Sequence, residues 1–272
     1  MIVQNAPAGE PHFVITMAQH TAFADAMARA FGNDRFEPLS PRDDMLFVVG
    51  HHDAGWTPVD AEPGLDPQTG LPWSLRGTPR EKVLQTSYGS PDYNEKHSAY
   101  AGLVSSMHIY GLYNGRYGLA PTRTIDTLPP EARTVTEKMM DDQLVRQERL
   151  KATLARDPET APWIEEKHLL QNYKQLQFFD LVGLYFHLTH PTLRKSDTIP
   201  GVPMSKDRDT PVTITPVDER TYRFAPFPFA KDGMEIDFEG RWFAPLANPQ
   251  GVDAKKAIYS LPVAKQTLRF VA

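Results

Sequence analysis

The sequence predicts a mainly α protein, with a helical domain over residues 1–199 and a strand-rich C-terminal extension over residues 200–272 packed on it. Three observations carry that expectation. Apolar residues recur at helical spacing in four separate stretches before residue 190. Each stretch is closed by glycine, asparagine or proline, the residues that end helices. After Pro200 the pattern changes to short β-branched or alternating segments divided by Pro, Gly and Asp.

The first helix is expected over Phe13 to Phe31, where Ala18, Ala22, Ala26, Met27 and Ala30 share one face and Gly32-Asn33-Asp34 supplies the stop. His20 lies inside it. The run Met45 to Gly50 is continuously apolar and too short for periodicity to choose between a buried strand and a turn of buried helix. It leads directly into His51-His52-Asp53. From Trp56 to Lys96, turn signals at Pro63-Gly64, Asp66-Pro67 and Thr69-Gly70 predict a long loop region, and Trp56, Trp73, Tyr88 and Tyr93 make it a packed wall. A second helix fits Ser98 to Tyr113 and stops at Asn114-Gly115. A third, strongly charged, runs from Pro130 to Arg156, and a fourth from Trp163 to Thr189 carries a broad apolar surface that His190-Pro191 closes. Beyond Pro200, strands are expected at Val212–Thr215, Tyr222–Phe224, Ile236–Phe238 and Ile258–Ser260. The Pro226-Phe227 and Pro228-Phe229 units suit an edge or a cover against the helices, because proline cannot donate to a sheet ladder.

Composition narrows the chemistry. The 272 residues are 40% hydrophobic and 23% charged, enough to bury a sizeable core and inconsistent with global disorder. A formal net charge of -5 provides no basic field for a phosphate backbone, so no nucleic-acid partner is expected. No apolar run approaches the roughly 20 residues of a membrane span, and no basic segment followed by an apolar run opens the chain. A cytoplasmic protein without a membrane partner is the expectation. With no cysteine, thiolate metal sites, cysteine nucleophiles and disulfides are excluded, and any metal must sit on His, Asp, Glu or water.

Within that limit His52-Asp53 stands out, since adjacent imidazole and carboxylate groups can hold one ion from a single helical turn. Further ligands must come from other elements. His20 lies on an earlier helix, and Asp180 sits between Phe178-Phe179 and Leu181-Val182, where an unpaired carboxylate would be costly. Each also has an ordinary reading, His20 as a surface histidine and Asp180 as a buried acceptor. For a second ion His97 and His108 are candidates, but eleven residues on one helix separate them by roughly 16 Å. His108 is preferred, with core packing as the equal alternative, and His97 joins only if it precedes the helix. His51 could orient a ligand or contact substrate, or point away from His52. His187, seven residues after Asp180, could hydrogen-bond a ligand. Arg116 could bind an anion, against a default of solvent exposure. His168 reads as polar surface, as do Gln143, Gln147 and Glu148, with Glu148 a remote general-base candidate. Trp56 and Trp73 could line a pocket for a ring-bearing ligand or belong to the core. No glycine-rich phosphate loop, dinucleotide fingerprint or Gly-x-Ser-x-Gly elbow occurs.

The order His20, His52-Asp53, Asp180 is similar to the metal-ligand signature of the HD-domain superfamily. The segments MAQHTAFADAMARAFG, FVVGHHDAGW, AGLVSSMHIYGLY, QLQFFDLVGLYF and PFPF resemble the DUF3891 family of uncharacterised HD-like bacterial proteins over nearly the whole chain. The resemblance implies an HD-domain-like helical bundle in which those four side chains hold a metal. For most HD members it also implies phosphohydrolase or phosphodiesterase activity.

These readings combine into a metal-dependent hydrolase acting on a phosphate ester or related anionic small molecule. One or two divalent ions (iron, manganese, magnesium or zinc) would be held by His20, His52, Asp53 and Asp180, with His108 or His97 added, and Asp53, His51 and Arg116 would serve catalysis. The alternatives are a di-iron oxygenase using the same ligands and a non-catalytic metal-dependent sensor or binding protein. A homodimer is left open.

Overall fold

Thr16 accepts a hydrogen bond from the Gln19 amide at 3.3 Å and starts helix α1 (Met17–Ala30) there, four residues later than the periodicity suggests. The residues before it, His12–Ile15, are strand β2, paired with β1 (Ile2–Val3). The computed structural model describes residues 1–75 and 77–272. The apolar run at 45–50 is helical, within α2 (Arg42–His51), whose first turn places Asp43 and Asp44 against the positive end of the helix dipole.

The stretch expected as a long loop instead contains α3 (Thr57–Ala61) and the 18-residue α4 (Arg80–His97), with Pro91 inside the latter. Turn-forming residues misdirect the reading because α4 is held by side chains and by close packing. Asn94 donates to the carbonyls of His51 and Ser90 at 2.9 Å, Ser90 Oγ accepts from the Gly55 amide at 3.0 Å, and Gly89 lies against Gly55. Helix α5 (Ala99–Asn114) is capped by Ser98, closed by left-handed Gly115, and buried on nearly every side. Helix α6 (Pro130–Leu154) packs on it through a stripe that includes Gln143 and Gln147, which are buried and not on a solvated face as expected. Glu148 is exposed and paired with Lys151. Helix α7 (Glu166–Leu188) completes the helical layer.

The mainly α, HD-like bundle expected from the sequence is not what forms. Among the described residues the protein is 49% helix and 20% strand, and the strands make one seven-stranded mixed sheet curled into a half-barrel. Beside β1 and β2 it holds β3 (Asp197–Ser205), β4 (Arg208–Pro216), β5 (Thr221–Ala225), β6 (Met234–Phe243) and β7 (Ala264–Val271), in the order β1-β2-β6-β7-β5-β4-β3. All pairs are antiparallel except β5 with β7. The line drawn at 199/200 falls inside β3, and β2 pairs with β6, so both ends of the chain build the same sheet. Pro200, Gly201 and Pro203 hid β3 from a reading of breakers; it is an edge strand with register shifts between Ile199 and Val202 and between Pro203 and Ser205. Ile258–Ser260, expected as strand, closes a short helix α8 (Ala254–Tyr259), which Asp253 caps by accepting from the Lys256 amide.

The sheet's inner face lies on α1 and α7. Phe23 of α1 meets Phe238 of β6 at 5.5 Å, and Phe186 of α7 stacks on Phe270 of β7 at 5.4 Å. One apolar core therefore runs through helices and strands together. The 226–229 segment covers the end of α1, with the Gly32 amide donating to Pro228 O at 3.0 Å and Phe229 buried. Among the described residues, no helix is long and apolar enough to cross a membrane.

Candidate metal centre

Four elements converge behind the α2 C-terminus. His20 comes from α1, His52 and Asp53 from the turn that ends α2, His108 from α5, and Asp180 from α7. Dense packing brings them close. At Gly183 on α7 an added Cβ would lie 2.7 Å from His20 Cε1, so only glycine lets the imidazole rest against that helix. After Asp53 the chain turns sharply, and a Cβ on Gly55 would meet Thr86 O at 2.3 Å. Helix α4 thus clamps the turn carrying the His-Asp pair.

Potential ligand atoms of His20, His52 and Asp180 lie within 4.8 Å of one another, as do those of His52, Asp53 and His108. His20 Nε2 is 3.3 Å from Asp180 Oδ1, and His52 Nε2 is 3.9 Å from the same oxygen and 3.6 Å from Asp53 Oδ2. The hydrogen bonds around the cluster fix tautomers. His52 Nδ1 donates to Val49 O at 2.8 Å, which turns Nε2 to the carboxylates, and this buried atom has no hydrogen-bond partner among the described residues. His20 Nδ1 is 3.0 Å from His187 Nδ1, which holds the ring with Nε2 toward Asp180. His187 in turn packs on Phe238 at 4.5 Å, tying the centre to the sheet.

Arg116 is not the exposed residue that its position suggests. Its Nη1 donates to Asp180 Oδ2 at 3.3 Å and to Gln177 Oε1, and Gln177 Nε2 donates to His108 Nδ1 at 2.7 Å. This chain puts the His108 proton on Nε2, so in the observed arrangement His108 faces the cluster as a donor. Gln177 has no chemistry of its own to mark it in the sequence; its spacing of three from Asp180 was the available signal. The residues 115–118 all have positive φ, and two of them, Arg116 (53°) and Tyr117 (54°), are not glycine. Such a conformation costs about 1–2 kcal/mol per residue. Tyr117 is held there by its ring on Tyr173, 4.7 Å between centroids, and by its hydroxyl on Gln147.

Charge completes the description. Burial pushes the Asp53 carboxyl up, with His52 and His20 opposing it only in part. Burial would also raise Asp180, but the His20 hydrogen bond and the Arg116 guanidinium outweigh it and hold Asp180 well below the usual carboxylate range. Burial pushes His108 down to about 3 and His187 well below its ordinary value, so both are neutral near pH 7. Of the two buried carboxylates Asp180 meets a guanidinium and Asp53 meets none among the described residues, an excess of negative charge that a dry interior tolerates poorly without a cation. The donor set fits a divalent ion: imidazole nitrogen with a free lone pair and carboxylate oxygen, with no sulfur.

A pocket of about 650 Å³ reaches Asp53 from the surface, walled by Asp25, Asp43, Phe47, His51, Tyr93 and His97. His97, considered as a ligand, is not part of the cluster. It ends α4, stacks on Phe47 at 3.6 Å, lies 3.9 Å from Asp44, and its side chain is 38% exposed. His51 points away from His52, its Nδ1 on Phe47 O at 2.8 Å, and forms the pocket wall beside Tyr93. His168 lies outside the site, bonded to Ser40 O. Trp56 is buried core, and neither it nor Trp73 lines this pocket.

The model of one protein family, described as "Protein of unknown function (DUF3891)", matches residues 1–244. No curated protein and no solved structure matches the chain.

Proposed function

The chain belongs to the DUF3891 family, whose description names no reaction, and from the geometry of its own site we propose that the protein is a metal-dependent hydrolase. His20, His52, Asp53 and Asp180 would hold the ion, in the ligand order of HD-type sites, and His108 would stand beside it. The observation that carries this reading is His52 Nε2, buried, without a hydrogen-bond partner among the described residues, and facing two carboxylates. A bound divalent ion would supply Lewis acidity and acidify a coordinated water.

The chain's own groups have separable tasks. His187 and Val49 O fix the orientation of His20 and His52. Arg116 occupies Asp180 Oδ2 and leaves Oδ1 turned toward the imidazoles. Asp53 lies both in the cluster and in the pocket lining, with its pKa raised by burial, which suits a group that accepts a proton at Oδ2 from water at the pocket's inner end. The choice of a phosphate ester or similar anionic small molecule as substrate rests on the likeness of the ligand order to HD proteins, most of which cleave such bonds.

Elemental analysis of protein purified without added metal, followed by assays on p-nitrophenyl phosphate and bis-p-nitrophenyl phosphate with manganese, magnesium, zinc or iron, tests the proposal. Wild type should retain or take up one or two ions per chain and release nitrophenol, and His52→Ala should lose both properties while melting cooperatively. Protein that takes up none of these ions would overturn it. Two irons with a visible absorption band and dioxygen uptake would replace it with oxygenase chemistry.

A further inference from the structure

The strained arginine opens onto a second cavity, on the far side of α7 from the pocket at Asp53. This groove, about 560 Å³, has α7 as its floor, β3 as one wall and Leu119–Pro121 as the other. Its α7 face is Gln177, Phe178, Leu181, Leu184, Tyr185 and Leu188. The eleven steps from Gln177 to Leu188 make a trough roughly 16 Å long at about 1.5 Å per residue. Ile199, Val202 and Ile214, all buried, back the trough on the sheet side. The volume lies within the usual range for small-molecule sites, and an apolar floor with a cationic end suits an elongated ligand.

The polar end is Arg116. Its Nη1 is committed to Asp180 and Gln177, but Nε and Nη2 have no partner among the described residues, and the side chain, 17% exposed, contributes to the groove lining. A guanidinium edge with two free donors matches a carboxylate. Lys174, the other cation of the lining, is already paired with Asp209, so among the described residues the groove offers one free positive edge and takes one negative charge. Asp197, near the opposite end of the trough, disfavours an anion there and sets the direction of the ligand. The left-handed run at 115–118 turns the chain so that Arg116 meets Asp180 while Leu119 seats against Gly201 in the groove wall.

We propose that the groove between α7 and β3 binds a single-chain amphipathic carboxylate, its apolar chain along Leu181, Leu184 and Leu188 and its headgroup on the free edge of Arg116. The site is separate from the metal centre's pocket and stands whether or not the protein is a hydrolase.

Binding of decanoate and of decanol, measured by calorimetry on metal-free and metal-loaded protein, tests it. Wild type should bind decanoate about tenfold or more tightly than decanol, the discrimination expected of a hydrogen bond between charged groups. Arg116→Gln should bind the two alike. Leu184→Trp, which fills the trough away from Arg116, should lose both ligands while keeping its melting transition and its metal uptake. The proposal is overturned if wild type binds neither ligand, if it binds decanol as tightly as decanoate, or if a folded Leu184→Trp still binds decanoate with unchanged affinity.

Discussion

Replacing Gly183 with alanine isolates the packing that makes the metal centre. The new methyl carbon would sit 2.7 Å from His20 Cε1 and 3.0 Å from Nδ1, about 0.7 Å inside the 3.4 Å at which ordinary contact begins. His20 has little freedom to yield, being fully buried, 3.0 Å from His187 at one nitrogen and 3.3 Å from Asp180 at the other. Overpacking costs about 1–3 kcal/mol, and replacing a helical glycine with alanine returns about 0.5–1 kcal/mol. The fold should therefore survive with a melting temperature lower by a few degrees. Metal binding has a narrower tolerance, since ligand distances hold to about 0.2 Å and a displaced imidazole falls outside it. The expected loss of metal affinity is about 10- to 100-fold, as for other changes that misplace a ligand without removing it. Calorimetric titration with zinc or manganese, beside thermal melts with and without metal, separates the two effects. Unchanged metal affinity in a folded Gly183→Ala protein would refute the role given to His20.

His187→Phe keeps the aromatic packing against Phe23 and Phe238 and removes the nitrogen that orients His20; metal affinity should fall about 10- to 100-fold while the metal-free protein melts no lower than wild type. Phe238→Ala should lower unfolding free energy by about 3–5 kcal/mol in urea titrations and weaken metal binding with it, because the sheet supports His187 through this ring. Asp53→Asn should raise the melting temperature of the metal-free protein at neutral pH. Burial raises the Asp53 pKa, so its contribution is favourable below its unfolded value near 3.9 and is lost as pH rises through the raised folded one. The advantage of the variant should disappear below about pH 4 in chelator-treated melts. Asp180 carries the opposite sign: its depressed pKa stabilises the fold above about pH 3.9, and that contribution is lost on further acidification.

The helices were legible where burial and capping agree with periodicity. Ser98 and Gly115 bracket α5 in the sequence as they do in space, and α6 and α7 end within a few residues of their proline signals. The strands were legible only where they alternate. Segments β4, β5 and β6 contain the expected runs, whereas β3 carries two prolines and a glycine that an edge strand accommodates through register shifts, and β1 has only two residues. Helix α4 failed the same test from the other side: Gly89 and Pro91 read as breakers, yet Gly89 is what lets the helix approach Gly55. Local propensity is a weak prior in both cases, and tertiary packing overrides it.

The candidate ligands were legible for a different reason. A carboxylate set among Phe178, Phe179, Leu181 and Val182 cannot be left uncompensated once that face is buried, so the sequence alone demands a partner for Asp180. His20, His52 and Arg116 are the partners that the fold supplies, across as many as 160 positions in the chain. What holds them in place gave no such signal, because a glycine, a glutamine and a phenylalanine have no ionic demand to satisfy. Gly183 matters through the absence of a side chain, Gln177 through one amide turned between Arg116 and His108, and Phe238 through a ring face on His187. These are facts of relative position, and position is settled by how the half-barrel closes on α1 and α7. The strands therefore belong to the site, and a helical fragment lacking β6 should fail to hold His187, and through it His20, where a metal ion needs them.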